Sequence, residues 1–171
     1  MKKLIRFIEL IFVGGVRSRI KVHLRAMVHA RDRGHILFAR FLEARMQKKY
    51  GVFVSHKARF PKSLDLKHPV GIVIGEGVRL GDRVKIYQNV TLGGARVGDW
   101  QAGNYPEVGD DTVIFAGAVV VGKIRVGKHC VIGANAVVTR DVPDYATVAG
   151  IPARVIRQKT FNEFPTEYNL P

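Results

Sequence analysis

Two spacings of hydrophobic residues divide the chain near residue 50. In the first part, apolar residues recur three or four positions apart, which is the spacing of an amphipathic helix. These residues are Leu4, Ile5, Ile8 and Phe12, and then Ile36, Leu37, Phe41 and Leu42. Proline is absent from residues 2–49, and Gly14, Gly15 and Gly34 are the expected breaks. The pattern predicts a short α-helical segment over residues 1–50.

Beyond Tyr50 the hydrophobic spacing changes to a period of six. An aliphatic residue opens each hexad, and a small or β-branched residue usually follows four positions later. The aliphatic positions are Ile74, Leu80, Ile86, Leu92, Val108, Ile114, Val120, Val126, Ile132 and Val138. This period does not fit an amphipathic helix, but it fits a short strand followed by a tight turn. Because three such units close one triangular coil and stacked coils bury the aliphatic ladder, the repeat predicts a parallel β-helix over residues 51–157.

The repeat is interrupted once, between Leu92 and Val108. Ten residues within about 95–107 have no place in the hexads, and this stretch is polar and rich in glycine. Such a stretch is typical of an excursion loop, and loops of this kind often carry function. We therefore expect a wall of an active site here, and we assign residues 158–171 to a C-terminal tail.

The positive charge is concentrated at the N-terminus. The whole chain has a net charge of +14, and residues 1–50 hold 13 Lys and Arg against 3 Asp and Glu, a difference of +10. Three explanations stay open for these basic helices: a cap over the open end of the coil, a trimer contact, or a surface for anionic lipid or polysaccharide. A nucleic-acid partner is not expected, since no recognition motif accompanies the charge.

The cysteine and histidine content argues against a metal site. Cys130 is the only cysteine, so no disulfide can form within the chain, and its inward place in a hexad favours a core role over a nucleophilic one. His56 and His129 do not join a cluster of metal ligands in the sequence. No run approaches the roughly 20 apolar residues of a membrane span. We expect a cytoplasmic protein, with peripheral contact at the inner membrane face through residues 1–50 as an alternative.

Three strings give the chain a family resemblance. They are His-Pro-Val-Gly-Ile-Val-Ile-Gly-Glu at 68–76, Asn-Val-Thr-Leu-Gly-Gly at 89–94 and Ala-Gly-Ile-Pro-Ala-Arg-Val-Ile at 149–156. Over about residues 52–158 the chain resembles the serine acetyltransferase branch of the hexapeptide-repeat acyltransferases. The resemblance implies an all-β, left-handed parallel β-helix, a homotrimer with active sites between neighbouring β-helices, and acetyl-coenzyme A (acetyl-CoA) as acyl donor.

The resemblance also implies roles for individual residues. His68 matches the catalytic histidine, which would act as general base on an acceptor hydroxyl, with direct transfer of the acetyl group. A backbone N–H of the Gly93–Gly94 turn is the candidate donor to the tetrahedral oxyanion. The residues implied to bind acetyl-CoA are Gly94, Ala116, Ala134, Thr139, Arg140 and Arg157.

Three positions depart from the acceptor site of the family. Lys67 stands where an aspartate precedes the histidine, Phe53 where a second aspartate orients the imidazole, and Tyr105 where a second active-site histidine stands. Because a lysine does not attract the ammonium group of serine, serine becomes a doubtful acceptor. Asp65 and Asp99 are the candidates to replace the missing carboxylate.

The acceptor hypothesis follows from these departures and from the loop. Trp100, Asn104 and Tyr105, together with Lys67, are the predicted acceptor-binding residues, since aromatic faces and amides match the CH face and the hydroxyls of a sugar. A loop packed by its own aromatic side chains is the alternative. Our leading hypothesis is acetyl transfer from acetyl-CoA to a sugar hydroxyl of a surface polysaccharide or its precursor. A serine O-acetyltransferase and a non-catalytic β-helix scaffold are the other two hypotheses.

Overall fold

Two helices precede the strands in the computed structural model, which describes residues 15–158 of the chain. Helix α1 spans Val16–Asp32 and helix α2 spans Ile36–Tyr50. Gly34, with a φ of +77°, makes the turn between them, so the predicted helices and this break are confirmed. The earlier part of the helical pattern, residues 4–12, lies outside the described residues.

Fourteen short strands follow the helices within the described residues. They are β1 Phe53–Val54, β2 Asp65–Leu66, β3 Val73–Ile74, β4 Arg79–Leu80, β5 Lys85–Ile86, β6 Thr91–Gly93, β7 Glu107–Val108, β8 Val113–Ile114, β9 Val119–Val121, β10 Arg125–Val126, β11 Val131–Ile132, β12 Val137–Val138, β13 Ala146–Ala149 and β14 Arg154–Gln158. A short helix, α3 Asp99–Ala102, lies between β6 and β7.

Successive strands belong in turn to three sheets, which form the faces of a triangular coil. Sheet A has the order β1-β3-β6-β9-β12, sheet B is β4-β7-β10, and sheet C is β2-β5-β8-β11-β13 with β14 at its edge. Strands β1 to β13 pair in parallel, whereas β14 pairs with β13 in the antiparallel direction. The predicted left-handed parallel β-helix is confirmed. We call its three edges the A–B, B–C and C–A corners, after the sheets that the chain joins there.

The aliphatic ladder of the hexads forms the core of the β-helix. All ten predicted positions are buried, and even the most exposed of them, Leu80, is 7% exposed. The ladder begins one coil earlier than the repeat indicated, because Val54 pairs with Ile74 and Leu66 with Ile86. The chain between β2 and β3 has six residues, 67–72, whereas the C–A corners that follow have four, as in 87–90. The two additional residues shift the hexad register. For this reason a strict period of six did not identify the first coil.

The two helices cover the first coil. Their buried residues form one hydrophobic cluster with the interior of the β-helix, and α1 contacts β2 while α2 contacts β1. At the start of α1, Arg17 donates to both carboxylate oxygens of Asp65, at 2.8 and 2.7 Å. This is the arrangement of a cap, the first of the three explanations offered for the basic segment.

The boundaries of the predicted segments are not decided by these elements. The division into 1–50, 51–157 and 158–171, and the loop limits of 95–107, stay predictions, and most of the third segment lies outside the described residues. No helix between residues 15 and 158 is long and apolar enough to cross a membrane.

Candidate active site

His68 lies on the longer C–A corner between β2 and β3. Its backbone has a φ of +48° and its side chain is exposed. The imidazole is 6.2 Å from the ring of Tyr87, which stacks on Phe115 at 5.0 Å, so three rings run down this corner. A cavity of about 640 Å³ opens beside the histidine, lined by Val16, Arg17, Lys67, His68, Pro69, Val70 and Gln88. Helix α1 thus supplies one wall of the His68 cavity.

Lys67 is paired rather than free. Its Nζ lies 3.0 Å from Oδ2 of Asp65, the carboxylate that also binds Arg17. Burial raises the pKa of Asp65, but the hydrogen bonds from Arg17 and Lys67 outweigh it and hold this pKa below its ordinary value. The charge of Lys67 is therefore partly compensated, although Asp65 is shared with Arg17 and the cluster keeps a net positive charge. Asp65 does not contact His68, and within residues 15–158 nothing hydrogen-bonds to the His68 imidazole.

The excursion loop leaves the β-helix at the A–B corner and is held together by Asp99. One oxygen of this carboxylate accepts hydrogen bonds from the backbone N–H groups of Ala95 and Arg96, both at 2.7 Å. The other oxygen accepts from the Asn104 amide at 2.9 Å. The hydrogen bonds from Asn104 and Arg96 keep the pKa of Asp99 below its usual value. Asp99 is the internal anchor of the loop, and it is not a partner of His68 in the same chain.

The three loop residues predicted to bind a sugar have different surroundings. Trp100 is 63% exposed, whereas the Asn104 amide is engaged by Asp99. The Tyr105 ring lies over a floor formed by Gly75 and Gly77, and a Cβ atom at Gly77 would overlap this ring. Burial raises the pKa of the Tyr105 hydroxyl. The loop is thus held by Asp99 and by the packing of Tyr105 against the coil, and the acceptor-binding roles of its residues stay predictions.

A second cavity, of about 720 Å³, lies at the A–B corner between α2 and the first coils. Its lining is Ile36, Arg40, Glu43, Phe53, Ser55, His56, Lys57, Gly75, Glu76 and Tyr105. Phe53 and Tyr105, two of the positions that depart from the family pattern, thus share one cavity. We call it the A–B cavity.

Charged side chains of both signs meet in the A–B cavity. Nδ1 of His56 lies 2.6 Å from Oε2 of Glu43, and the backbone N–H of His56 donates to the same oxygen at 2.7 Å. Lys57 donates to Glu76 at 2.7 Å, which raises the pKa of the lysine. Glu43 stands on a helix outside the repeat, so the hexad pattern gave no indication of its pairing with His56.

Five of the six residues predicted to bind acetyl-CoA lie on two corners. Ala116 and Ala134 follow β8 and β11 on the C–A corner, below His68, whereas Gly94, Thr139 and Arg140 lie on the A–B corner. Arg157 is exposed on β14. A Cβ atom at Gly94 would lie 2.7 Å from Cβ of Asp99, so this glycine permits the loop anchor to pack closely. The binding roles of the six residues stay predictions.

Cys130 is a core residue. It is fully buried, its Sγ donates to the carbonyl oxygen of Pro143 at 3.1 Å, and burial raises the pKa of its thiol. A buried thiol of raised pKa is a poor nucleophile. In the part of the chain that the structure describes, no three His, Cys, Asp or Glu side chains are grouped to hold a metal ion.

Comparison with known proteins gives consistent results. A family model described as bacterial transferase hexapeptide (six repeats) matches residues 105–140. A serine acetyltransferase of Staphylococcus aureus (strain N315) is 44% identical over 108 residues, which are 63% of this chain and 50% of that protein. The chain thus spans about half the length of the relatives that it matches.

Two solved structures resemble the fold. The crystal structure of serine acetyltransferase from Brucella abortus strain S19 has a TM-score of 0.77 at 32% identity, over 84% of this chain and 58% of that one. A serine acetyltransferase in complex with CoA has a TM-score of 0.72 at 34% identity, over 81% and 56% of the two chains.

These comparisons correct the acceptor hypothesis. The relatives and the solved neighbours are serine acetyltransferases, so the hypothesis of a sugar acceptor, and with it a place in polysaccharide biosynthesis, is wrong. Two contacts that weaken the reasons for a sugar acceptor were not visible in the sequence: the salt bridge of Lys67 with Asp65, and the hydrogen bond of the Asn104 amide to Asp99. The hexapeptide repeat, the left-handed β-helix and these similarities together relate the chain to the hexapeptide-repeat transferases.

Proposed function

We propose that the chain is an acetyl-CoA-dependent O-acetyltransferase whose acceptor is L-serine. The observation that carries this proposal is the A–B cavity, where Arg40 and Lys57 meet Glu43 and Glu76. Serine at neutral pH carries one ammonium and one carboxylate group, and a cavity with charges of both signs suits such a zwitterion better than it suits a neutral sugar. The similarity to serine acetyltransferases supports the same acceptor.

His68 acts as the general base in this proposal. The imidazole takes the proton of the serine hydroxyl as its oxygen attacks the thioester carbonyl of acetyl-CoA. A backbone N–H of the Gly93–Gly94 turn stabilises the oxyanion that forms. When the tetrahedral intermediate collapses, the C–S bond breaks and the imidazolium returns the proton to the departing thiolate, so the products are O-acetylserine and CoA.

The active site is built from two copies of the chain. His68 lies on the C–A corner and the A–B cavity on the next corner, with sheet A between them. In a homotrimer, the C–A corner of one copy faces the A–B corner of its neighbour and brings the two halves together. Such an assembly also accounts for acetyl-CoA residues on both corners. Ala116 and Ala134 leave room for the pantetheine arm of acetyl-CoA, and the guanidinium groups of Arg140 and Arg157 suit the phosphates of the same molecule.

The test is release of CoA thiol from acetyl-CoA with L-serine as acceptor. We expect turnover by the wild type, and a fall in kcat of about 10²–10⁴-fold in His68→Ala, because a general base contributes a factor of this size. His129→Ala is the matched control, since this histidine lies on the B–C corner and stacks on Tyr145, away from both cavities. Undiminished turnover in a folded His68→Ala variant, or no turnover of serine by the wild type, would overturn the proposal.

We also propose that helices α1 and α2, which cap the first coil, bind the surface of an anionic membrane. Leu37, Phe38 and Phe41 are 81%, 51% and 55% exposed, on the outer side of α2. Arg33 and Arg40 are exposed beside them. Exposed apolar side chains flanked by arginines match the boundary between headgroups and acyl chains of an anionic bilayer.

Co-sedimentation with lipid vesicles tests this proposal. We expect binding to vesicles that contain phosphatidylglycerol, weaker binding to pure phosphatidylcholine, and loss of binding in the double variant Leu37→Ser, Phe41→Ser. Val97→Ser is the control, because Val97 is a fully exposed apolar residue in the excursion loop. Equal binding by all three proteins contradicts the proposal, as does a double variant that changes only the oligomeric state, since the helix face would then contact a second copy.

A further inference from the structure

We infer that the Glu43–His56 pair holds the ammonium group of the acceptor amino acid. Phe53 and Tyr105, the coil residues that line the same cavity, have no charged group that could hold it. This inference rests on the proposed function and adds to it a specificity-determining pair, one member of which belongs to helix α2.

The geometry fixes the tautomer of the neutral imidazole. Oε2 of Glu43 lies 2.6 Å from Nδ1 of His56 and also accepts the backbone N–H of the same residue at 2.7 Å. A carboxylate in this position holds the proton on Nδ1, so Nε2 of the neutral ring has a free lone pair. Among residues 15–158 no group hydrogen-bonds to Nε2. The pair therefore offers a hydrogen-bond acceptor, backed by a negative charge, to a donor in the cavity.

The fold places the pair beside the positions that depart from the family pattern. Ile36, Arg40 and Glu43 are spaced four and three residues apart on α2, so they share one face of the helix, and all three line the A–B cavity. Phe53 and Tyr105 line the same cavity. The side chains of Glu43 and His56 are only 20% and 14% exposed, so they are shielded from bulk water without being sealed off. Helix α2 thus brings charge to a place where the coil supplies aromatic rings.

The surrounding charges favour a zwitterionic ligand. Glu76 is already paired with Lys57 at 2.7 Å, whereas Glu43 is paired with an imidazole, which leaves its negative charge uncancelled while the ring is neutral. Arg40, one turn before Glu43, is exposed at the rim and can meet a carboxylate. An amino acid whose ammonium group donates to Nε2 of His56 would therefore direct its carboxylate towards Arg40.

The experiment compares two acceptors that differ only in the ammonium group, L-serine and 3-hydroxypropionate. Purified wild type, Glu43→Gln and His56→Ala are assayed for thiol release with each acceptor at saturating acetyl-CoA. We expect KM for serine to rise about tenfold or more in His56→Ala, the effect of losing one hydrogen bond to a charged group. KM for serine should also rise in Glu43→Gln, because this variant removes the negative charge behind the imidazole. KM for acetyl-CoA, measured separately at saturating serine, should be unchanged in both variants. The preference of the wild type for serine over 3-hydroxypropionate should fall by a similar factor. Glu107→Gln is the control, since this exposed carboxylate on sheet B lies outside both cavities.

The outcomes separate this inference from the proposed function. A wild type that does not acetylate serine overturns the proposed function. A wild type that does so, with both variants retaining its KM for serine and its preference for serine, overturns the inference alone. A merely structural pair that joins α2 to the coil would lower the melting temperature of both variants without changing the ratio between the two acceptors. Glu43→Gln retains a side-chain oxygen as acceptor, so it keeps the test valid if His56→Ala does not fold.

Discussion

Thr112 shows how one buried hydroxyl joins two coils. Its side chain is fully buried, donates to the carbonyl oxygen of Gly127 at 2.8 Å and accepts the N–H of Cys130 at 3.1 Å. Thr112→Val keeps the shape but leaves both backbone groups unpaired, so we expect the free energy of unfolding to fall by about 1–3 kcal/mol. Urea unfolding measures the loss, with Thr112→Ser as the control that keeps the hydroxyl. An equal loss in the two variants would mean that the methyl group, and not the hydrogen bonds, matters here.

At the residue scale, the sequence predicts inward positions well and pairings between elements poorly. The hexad period identified Ile74, Val138 and the aliphatic positions between them as core, because burial on a coil follows directly from spacing. Glu43 and His56 are 13 positions apart, on a helix and on a coil, and only the packing of α2 against β1 brings them together. No periodicity connects such residues, so this part of the candidate site could not be predicted.

At the scale of single elements, the B–C corner depends on stacked glycines. A Cβ atom at Gly109 would lie 2.7–2.8 Å from backbone atoms of Gly127 and Lys128 in the next coil. Backbone cannot move aside as a flexible side chain can, so we expect Gly109→Ala to separate the two coils and to lower the free energy of unfolding by roughly 1–3 kcal/mol, the cost of overpacking. Gly93→Ala is the matched control, because a Cβ atom there meets nothing within 4 Å. Thermal unfolding of the two variants decides the matter, and equal melting temperatures would contradict the prediction.

The corners also explain why the first coil was missed. A strand of the β-helix must keep its register with the strands above and below it, whereas a corner can lengthen outwards without disturbing the ladder. The corner at residues 67–72 does this between β2 and β3, and the excursion loop does it between β6 and β7. A fixed period predicts the strands between such corners, and it fails where a corner changes length.

At the scale of the whole molecule, mixed trimers test the shared active site. His68→Ala removes the proposed base from one corner, and Gly77→Leu displaces Tyr105, which lines the A–B cavity, from its glycine floor. Each variant alone should be inactive. If every site combines His68 of one copy with the cavity of the next, random mixing of the two variants restores about a quarter of the wild-type sites. Thiol release after co-refolding measures this recovery, and a mixture as inactive as its components would show that the two corners do not meet across copies.

The antiparallel strand β14 has a consequence for how the molecule behaves in a crowded solution. A stack of parallel coils ends in unpaired backbone groups, and such an edge can template the addition of further chains, as in fibril growth. The capping helices cover the edge at one end, and at the other β14 pairs with β13 in the opposite direction and is exposed along its length, with Arg154 and Arg157 on it. Because β14 is antiparallel to β13 and positively charged, another β-helix cannot add a parallel strand next to it. On sheet C, the coil geometry that gives the core its regularity is thereby kept from propagating into a polymer.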